Sequence, residues 1–393
     1  MNISLMGLSV LAFVSLNAHA GLNSKNIDIL NSIPLIKAYE APRDDEKTIQ
    51  EDLIKIFNNF AIRNRNADSS LNRGTHAKGQ CFDGDFQVFS ANDLQSQFAY
   101  SEKLINRLKQ GLFKSDGLYS TSVRLANADG MGRKQSDKVG DVRGLSFSVY
   151  NLPIDDFVEI GRQDFMMNST PGFSNGGIKG FYEVVKTANL LVYKDITYLP
   201  NPLFLNEIVS GLSAIGGANS EQENITSLAD SSYWSNIPYT HGMTSTMSPI
   251  DIVKLKAEPC SRVTSSKDMS NNSNYLQEDI VRRANEGTIC FDVKLQFFNR
   301  TQLRKSTKFK ARKYRQWSNT DWIENGGLEW PESVLPFYTV ARIQVPKNSP
   351  VRDCSDRYIN TRVHANLENL PIGSISRVRT YVEEASRANR MRN

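Results

Sequence analysis

Alternating hydrophobic and polar positions indicate several strands along the chain. In the clearest run, 289–297, every second residue from Ile289 to Phe297 is hydrophobic, and the positions between them are cysteine or polar. A period of two residues is typical of a strand with one buried face. Shorter alternating runs predict three further strands, over 85–90, 145–149 and 339–346.

Four other segments have the character of helices, and they lie at 45–63, 101–113, 203–216 and from about 374 to the C-terminus. Their hydrophobic residues recur at intervals of three and four where the pattern is clearest. The stretch 217–287 is polar, rich in serine and asparagine, and carries few strong signals. Strands and helices mixed without a regular βαβ rhythm predict an α+β fold with an antiparallel sheet or barrel.

The N-terminus predicts export. Residues 3–16 are uncharged and mostly apolar, and Ala18-His19-Ala20 follows as a small-x-small cleavage pattern. This is typical of a secretory signal peptide, and the run is short for a membrane-spanning helix. We therefore expect a signal peptide over 1–20, a single domain over 21–393, and a periplasmic or secreted protein.

Composition and charge narrow the classes of function. The chain has 393 residues, of which 39% are hydrophobic and 23% charged, and this is ordinary for a globular protein. Its 47 basic residues nearly match its 42 acidic ones, so nucleic acid is not an expected partner. Eight Lys or Arg and no acid fall within 300–315, which predicts either a solvated mobile loop or a surface for an anionic partner such as a membrane.

Cysteine and histidine limit the available chemistry. Four cysteines remain after cleavage, none in a CxxC pair, so an oxidising compartment allows two disulfides with three possible pairings among Cys81, Cys260, Cys290 and Cys354. Three histidines remain, and a proton shuttle near neutral pH must use one of them or a carboxylate with a shifted pKa. Of these, His76 lies in a distinctive context, Arg73-Gly-Thr-His-Ala-Lys-Gly, just before the first predicted strand.

Six short motifs follow one another along the chain: Arg73-x-x-His76, Val123-Arg124-Leu125-Ala126, Asp141-Val-Arg-Gly144, Asn168-Ser-Thr-Pro-x-Phe173, Trp330-Pro-Glu-Ser333 and Pro371-Ile-Gly-Ser-Ile375 with Arg377-Val-Arg379. In this order they resemble the haem catalase superfamily, most closely its short branch of catalase-related peroxidases. The likeness is collinear over roughly residues 60–390.

The resemblance implies a catalase-like antiparallel β-barrel core with surrounding helices and a haem b cofactor with its iron. It implies an exported enzyme that reduces hydrogen peroxide or organic hydroperoxides, such as those of fatty acids, with an electron donor that the sequence does not identify. In the family, a distal histidine moves a proton between the peroxide oxygens and a carboxamide positions them. These roles fall on His76 and Asn168.

Further residues match the cofactor-binding pattern. Arg73 and Arg124 correspond to the arginines that pair with the haem propionates, for which guanidinium groups are well suited. Phe173 corresponds to a ring that packs against the porphyrin. Arg379 corresponds to the arginine that lowers the pKa of the phenol that binds iron.

The sequence departs from the family at three positions. Ala126 replaces a distal serine, Ser148 replaces a lysine, and Glu383 stands where the iron-binding tyrosine is expected, four residues after Arg379. Either Glu383 binds the iron, or Tyr381, four residues after Arg377, does so through a shift of register. These departures favour an alternative function, in which a catalytically degenerate protein binds haem or another apolar ligand without turnover.

Overall fold

The computed structural model describes residues 24–67, 71, 73–127, 133–152, 161–172, 176–206, 208–209, 212–213, 225–261, 272–352, 354 and 359–392. The predicted signal peptide and part of the predicted helix at 203–216 lie outside these residues.

Antiparallel strands build one sheet in the order β5-β4-β3-β2-β1-β9-β8-β7-β6, and β5 also pairs with β7, so that the sheet closes into a barrel. Within the described residues the strands are β1 (Lys78–Val88), β2 (Gly117–Asn127), β3 (Gly144–Tyr150), β4 (Arg162–Asn168), β5 (Tyr233–Trp234), β6 (Tyr239–Met243), β7 (Pro249–Pro259), β8 (Ile289–Phe297) and β9 (Phe337–Val345). The predicted α+β fold with an antiparallel barrel is confirmed.

Helices surround this barrel. They are α1 (Ser24–Ser32), α2 (Glu46–Arg63), α3 (Ala91–Phe98), α4 (Glu102–Leu108), α5 (Gly177–Tyr193), α6 (Tyr275–Glu286), α7 (Arg300–Lys305), α8 (Arg312–Gln316), α9 (Asn319–Glu324) and α10 (Ser374–Arg392). Short 3₁₀ turns cover Gly111–Phe113, Pro202–Phe204, Leu228–Asp230, Thr307–Phe309 and Leu367–Asn369.

The barrel interior is the main hydrophobic core, and alternation along the strands fills it. The alternating run 289–297 coincides with β8, whose residues Phe291, Val293 and Leu295 are fully buried. By contrast, β5, β6, β7 and α6 were not predicted, because they lie within the polar stretch 217–287. Both faces of β6 are covered, so the neighbouring residues Thr240 and His241 are both buried. A strand without an exposed face lacks the regular alternation of hydrophobic and polar residues.

The last helix, α10, lies against α2 and carries residues that matter below. Val378 packs with Ile49 and Leu53 in a second hydrophobic cluster. Arg377 reaches the carboxylates of Glu46 and Glu324 at 2.6 and 3.0 Å. Apolar packing and a partly buried ion-pair cluster together fix the rotation of α10 about its axis.

Two disulfides select one of the three possible pairings. Cys81 of β1 pairs with Cys354, 273 residues later, and Cys260 pairs with Cys290, 30 residues later. The first joins the barrel to the segment that leads into α10, and the second joins the ends of β7 and β8.

We expect loss of the Cys81–Cys354 bond to destabilise the protein more than loss of Cys260–Cys290. In the chain-entropy model a cross-link that closes a longer loop restricts the unfolded state more, and the difference between these loops is about 2 kcal/mol. The measurement is the free energy of unfolding of the two double Cys→Ala variants in denaturant. Equal losses, or a larger loss for the short loop, would contradict the expectation.

The basic stretch 300–315 is folded rather than a loop. It forms α7, a 3₁₀ turn and most of α8, with Phe309 buried and Tyr314 packed against it at 5.0 Å between ring centroids. Lys308 pairs with Glu329, so the stretch is partly neutralised. Contact with an anionic membrane surface stays a prediction. Among the described residues, no helix combines the length and apolarity needed to cross a bilayer.

Candidate functional site

A row of small residues forms a floor on the outer face of the barrel. Gly79, Ala126 and Gly144 stand opposite one another across β1, β2 and β3, and Asn168 of β4 continues the row. Residues paired in this way point to the same side of a sheet. Because Leu145 points into the barrel core, the row faces outward.

His76 covers this floor from the segment just before β1. Its backbone has a φ of +49°, a left-handed conformation, and its ring lies on Gly144 so closely that a Cβ there would be 3.0 Å from Nδ1. The Nδ1 atom is buried and has no hydrogen-bond partner among the described residues. Since Gly144 stands opposite Asn168, the imidazole and the carboxamide lie over the same part of the sheet.

Asn168 is held in a defined orientation at the end of β4. Its Oδ1 accepts hydrogen bonds from the backbone N–H and the hydroxyl of Thr170, each at 3.0 Å. β4 ends at Asn168 itself, and Thr170 lies in the bend that follows. The amide group is thereby fixed without a titratable partner.

The environment keeps His76 neutral. Burial, and then the positive charges of Arg124, Arg73 and Arg143, lower the pKa of the imidazole to about 4. At pH 7 the ring can therefore accept a proton. His241 and His364 instead have structural contacts, since the first bonds through Nε2 with a backbone carbonyl at 3.0 Å and the second bonds through Nδ1 with a buried carboxylate at 2.7 Å.

Positive charge gathers beside His76. Arg124 donates to the backbone carbonyl of His76, and Arg73 donates to that of Cys354 at 2.7 Å. Burial, and then the charges of Arg73 and Arg387, lower the pKa of Arg390 to about 9. Arg73 and Arg387 are positively charged and repel the guanidinium of Arg390. An anion bound between these arginines would reduce this repulsion.

Arg390 was not among the predicted site residues. The available signal was its spacing, because Arg390 follows Glu383 by seven residues, or two helical turns, and so lies on the same side of α10. Arg387, four residues after Glu383, pairs instead with Glu384 at 3.6 Å.

Glu383 and Arg379 form a deep ion pair on α10. The carboxylate Oε1 lies 3.0 Å from Arg379 Nε, and the backbone N–H of Thr361 donates to Oε2 at 3.4 Å. Burial raises the pKa of Glu383 to about 7 against the opposing effect of Arg379. The two side chains keep 11% and 24% of their surface accessible, so the pair is not completely sealed from its surroundings.

Tyr381 points away from the ion pair of Glu383 and Arg379. Its hydroxyl donates to Asn31 of α1 at 3.0 Å. Two residues along a helix differ in direction by about 200°, so Tyr381 and Glu383 point to different sides of α10. Of the two candidate iron ligands, the structure places Glu383 on the inner side.

Three other expectations concern the surroundings of the site. Phe173 lies outside the described residues. Ala126 is buried within the floor and adds no polar group to it. Ser148 lies farther along β3, where its hydroxyl accepts a hydrogen bond from Arg162 at 3.1 Å.

These residues fit the demands of a haem group. A flat ring with two carboxylates needs a floor without large side chains, cations for the carboxylates, and a single ligand for its iron. Gly79, Ala126 and Gly144 bring no large side chain of their own to the floor. Arg73, Arg124 and Arg390 supply the cations, and Glu383 supplies a carboxylate. The orphaned Nδ1 of His76 leaves one buried polar atom to be satisfied there.

Comparison with solved structures identifies the fold. A fungal catalase matches with a TM-score of 0.53 and 14% identity over 78% of this chain and 57% of that one. Catalase A from Saccharomyces cerevisiae matches with a TM-score of 0.54 and 17% identity over 89% of this chain and 66% of that one. No family model and no curated protein matches the sequence. The chain spans less than two thirds of either catalase, and its fold is catalase-like.

Proposed function

We propose that this chain is an exported, haem-dependent peroxidase of the short catalase-related type, which reduces hydrogen peroxide or organic hydroperoxides. The observation that supports this most strongly is the meeting of His76 and Asn168 over Gly144, beside a group of arginines that favours an anion. An oxidoreductase with a catalase-like fold needs these two kinds of side chain over one face of its cofactor.

The residues that would hold the haem come from both sides of the site. Arg73, Arg124 and Arg390 would pair with the propionates, and Glu383 would bind the iron beside Arg379. When bound, the haem supplies a redox-active iron that can take part in breaking the oxygen–oxygen bond of a peroxide. A carboxylate is a hard oxygen ligand and therefore a chemically acceptable partner for ferric iron.

The chain's own residues would manage the proton and the substrate. The neutral imidazole of His76 takes a proton from the first peroxide oxygen and returns it to the second, which becomes the leaving group. Asn168 hydrogen-bonds the peroxide and keeps its orientation without changing charge. The floor of small residues leaves room for the side chains of His76 and Arg124 on the sheet.

One observation favours a second candidate function. The carboxylate of Glu383 already has a counter-ion in Arg379 at 3.0 Å, which makes it a weaker ligand than a free carboxylate. If the ion pair between Glu383 and Arg379 persists in the bound state, the protein would bind haem or another apolar ligand without turnover.

Haem loading distinguishes the two functions. Protein produced with a supply of haem should show an intense Soret band and consume hydrogen peroxide. A Soret band without peroxide consumption supports the binding protein instead. A protein that takes up no haem, at any supplied concentration, contradicts the peroxidase and leaves only the binding of another apolar ligand.

We expect Arg390→Met to weaken haem binding by about 10-fold to 100-fold, the range for losing one hydrogen bond to a charged partner. Titration of the haem-free protein with haemin gives the affinity. Arg282→Met is the matched control, because Arg282 pairs with Asp279 and Glu286 on α6. If both variants keep the wild-type affinity, Arg390 is not part of the anion site.

A further inference from the structure

The basic stretch 300–315 carries an array of cations that the proposed chemistry does not use. Six of its basic side chains are exposed, namely Lys305, Lys308, Lys310, Arg312, Lys313 and Arg315. Within the described part of the chain, Lys308 pairs with Glu329, and the other five have no ion pair. The stretch contains no acid of its own, so most of this positive charge faces solvent without a counter-ion.

Apolar side chains hold the inner side of the basic stretch. Leu303 and Phe309 are buried, and both belong to the hydrophobic cluster that includes Trp322. Tyr314 packs on Phe309, and its ring centroid lies 6.0 Å from that of Trp322. Because these side chains turn inward, the charged residues between them turn outward. The cations therefore belong to a folded surface with a fixed direction.

Two half-buried aromatic rings lie among the cations. Tyr314 and Trp317 are both partly exposed, and their ring centroids are 4.8 Å apart. Trp317 also packs edge-on against Trp322 at 5.0 Å, and Lys313 Nζ lies 5.0 Å from the centroid of Tyr314. Tyrosine and tryptophan are enriched at the level of lipid headgroups, where one part of the ring is in apolar surroundings and another meets water.

These contacts favour a lipid surface over a nucleic acid, although both carry phosphate groups that Lys and Arg bind. Bases of a single strand stack on the free faces of aromatic rings. The contacts of Tyr314 with Trp317, Trp322 and Lys313 occupy ring surface that a base would need. A headgroup layer requires no stacking, and clusters of about four to eight basic residues are typical of segments that bind anionic lipids.

We propose that the basic stretch docks this protein on a bilayer that contains anionic phospholipids. The exposed Lys and Arg side chains meet the negatively charged headgroups, and Tyr314 and Trp317 lie at the same level. Binding is peripheral and electrostatic, since the stretch has no apolar run that would enter the hydrocarbon. Neither haem nor peroxide takes part, so this inference stands or fails independently of the proposed peroxidase function.

Co-sedimentation of the purified protein with vesicles tests the surface. The protein should bind vesicles of phosphatidylcholine and phosphatidylglycerol, mixed at about 2 to 1, and not vesicles of phosphatidylcholine alone. Raising the ionic strength from about 0.05 M to about 0.5 M should release most of the bound protein, because salt screens exposed charges. No binding, equal binding to both kinds of vesicle, or binding that survives the salt would overturn the proposal.

Lys305→Gln/Lys310→Gln tests whether the basic stretch is the part that binds. Both lysines are exposed and have no ion pair among the described residues, so the fold should tolerate the change. Loss of these two charges should weaken binding to the anionic vesicles by about 25-fold, or about 5-fold for each charge. An unchanged affinity would show that the vesicles contact another surface and would overturn the proposal.

Lys138→Gln/Lys347→Gln is the matched control, because it removes the same charge from two exposed positions at the other end of the barrel. Lys347 follows the end of β9 that pairs with the start of β8, whereas the basic stretch follows the end of β8. Lys138 is next to Asp137, whose carboxylate accepts hydrogen bonds from the first turn of α6. This variant should bind as the wild type does, since salt screens charges far from the contact.

Equal losses in the two double variants would mean that net charge alone drives binding, and they would overturn the proposal. Melting temperatures establish that both variants are folded, and the comparison of the two vesicle compositions tests the surface without any substitution. Single-stranded DNA is the competing phosphate-bearing partner. If it binds more tightly than the anionic vesicles at equal phosphate concentration, and Lys305→Gln/Lys310→Gln loses that binding, the surface belongs to nucleic acid and the proposal is wrong.

Discussion

In the haem-loaded protein, His76→Ala is expected to slow peroxide consumption by about 10²-fold to 10⁴-fold, the usual contribution of a general acid–base group. The imidazole lies on Gly144 beside Asn168, and its Nδ1 has no partner among the described residues. Alanine removes the proton carrier but leaves the arginines and Glu383 in place. Haem affinity should therefore change little, and the loss should appear in the initial rate per bound haem.

Two controls separate a catalytic role from a structural one. His241→Asn removes an imidazole from the barrel core, so we expect it to lower stability without changing the rate per bound haem. Added imidazole should restore part of the activity of His76→Ala, because a free base can enter the space left by the side chain. A full rate in His76→Ala with haem bound would show that another group moves the proton.

The pKa of His76 is itself open to measurement in the haem-free protein. Burial and the nearby arginines lower the pKa to about 4, so the ring should remain neutral as the pH falls from 8 to about 5 and take up a proton only below that. The same shift means that His76 disfavours the folded state as the pH falls from 6.5 to 4, because the unfolded imidazole binds its proton first. An NMR titration of the ring protons would contradict this account if the midpoint lay near 6.5.

The barrel was predictable where one face of a strand is buried and the other is polar. β8 and β3 have this alternation, and both were located from it. β6 is covered on both faces, and the buried face of α6 includes Asp279 and Arg283, so neither element has the pattern of an ordinary strand or helix. Their polar residues are satisfied by partners distant in sequence, such as Asp230 for Arg283, which a local pattern does not reveal.

The candidate site was predictable only in part. The missing part depends on contacts between residues that are far apart along the chain. The family motifs indicated His76 and Asn168, and in the structure His76 lies on Gly144 while Asn168 is the neighbour of Gly144 on the next strand. The choice between Tyr381 and Glu383 required the rotation of α10, which depends on contacts with α1 and α2. The spacing of Arg390 from Glu383 did not by itself indicate an anion site, because the charge of Arg73 that acts on Arg390 lies more than 300 positions earlier in the chain.

Glu383→Gln is expected to stabilise the haem-free protein at alkaline pH and to impair the binding of haem. Burial raises the pKa of Glu383 from 4.5 to about 7, so burial outweighs the attraction of Arg379. For a group with a raised pKa, the contribution to stability is complete below pH 4.5 and is lost as the pH rises through 7. The loss is about 3 kcal/mol for a shift of this size.

Unfolding in urea at pH 4.5 and pH 8 checks the first half of this prediction. The stability of Glu383→Gln relative to the wild type should rise by about 3 kcal/mol between the two pH values. Tyr381→Phe is the matched control on the other side of α10, and its stability relative to the wild type should not vary over this range. If the difference in the free energy of unfolding between Glu383→Gln and the wild type is the same at both pH values, folding does not raise the pKa of the carboxylate.

Haem binding checks the second half. If Glu383 binds the iron, its replacement by the neutral amide should shift the Soret band and weaken haemin binding by at least about 10-fold, the effect of losing one interaction with a charged group. Tyr381→Phe should leave both unchanged, because its hydroxyl donates to Asn31. An ionised carboxylate that destabilises the empty protein but binds the cofactor is the behaviour of a functional site, where stability is sacrificed for chemistry. If Glu383→Gln changes neither the Soret band nor the affinity for haemin, Glu383 is only the counter-ion of Arg379. That result would favour the second candidate function, in which the protein binds a ligand without turnover.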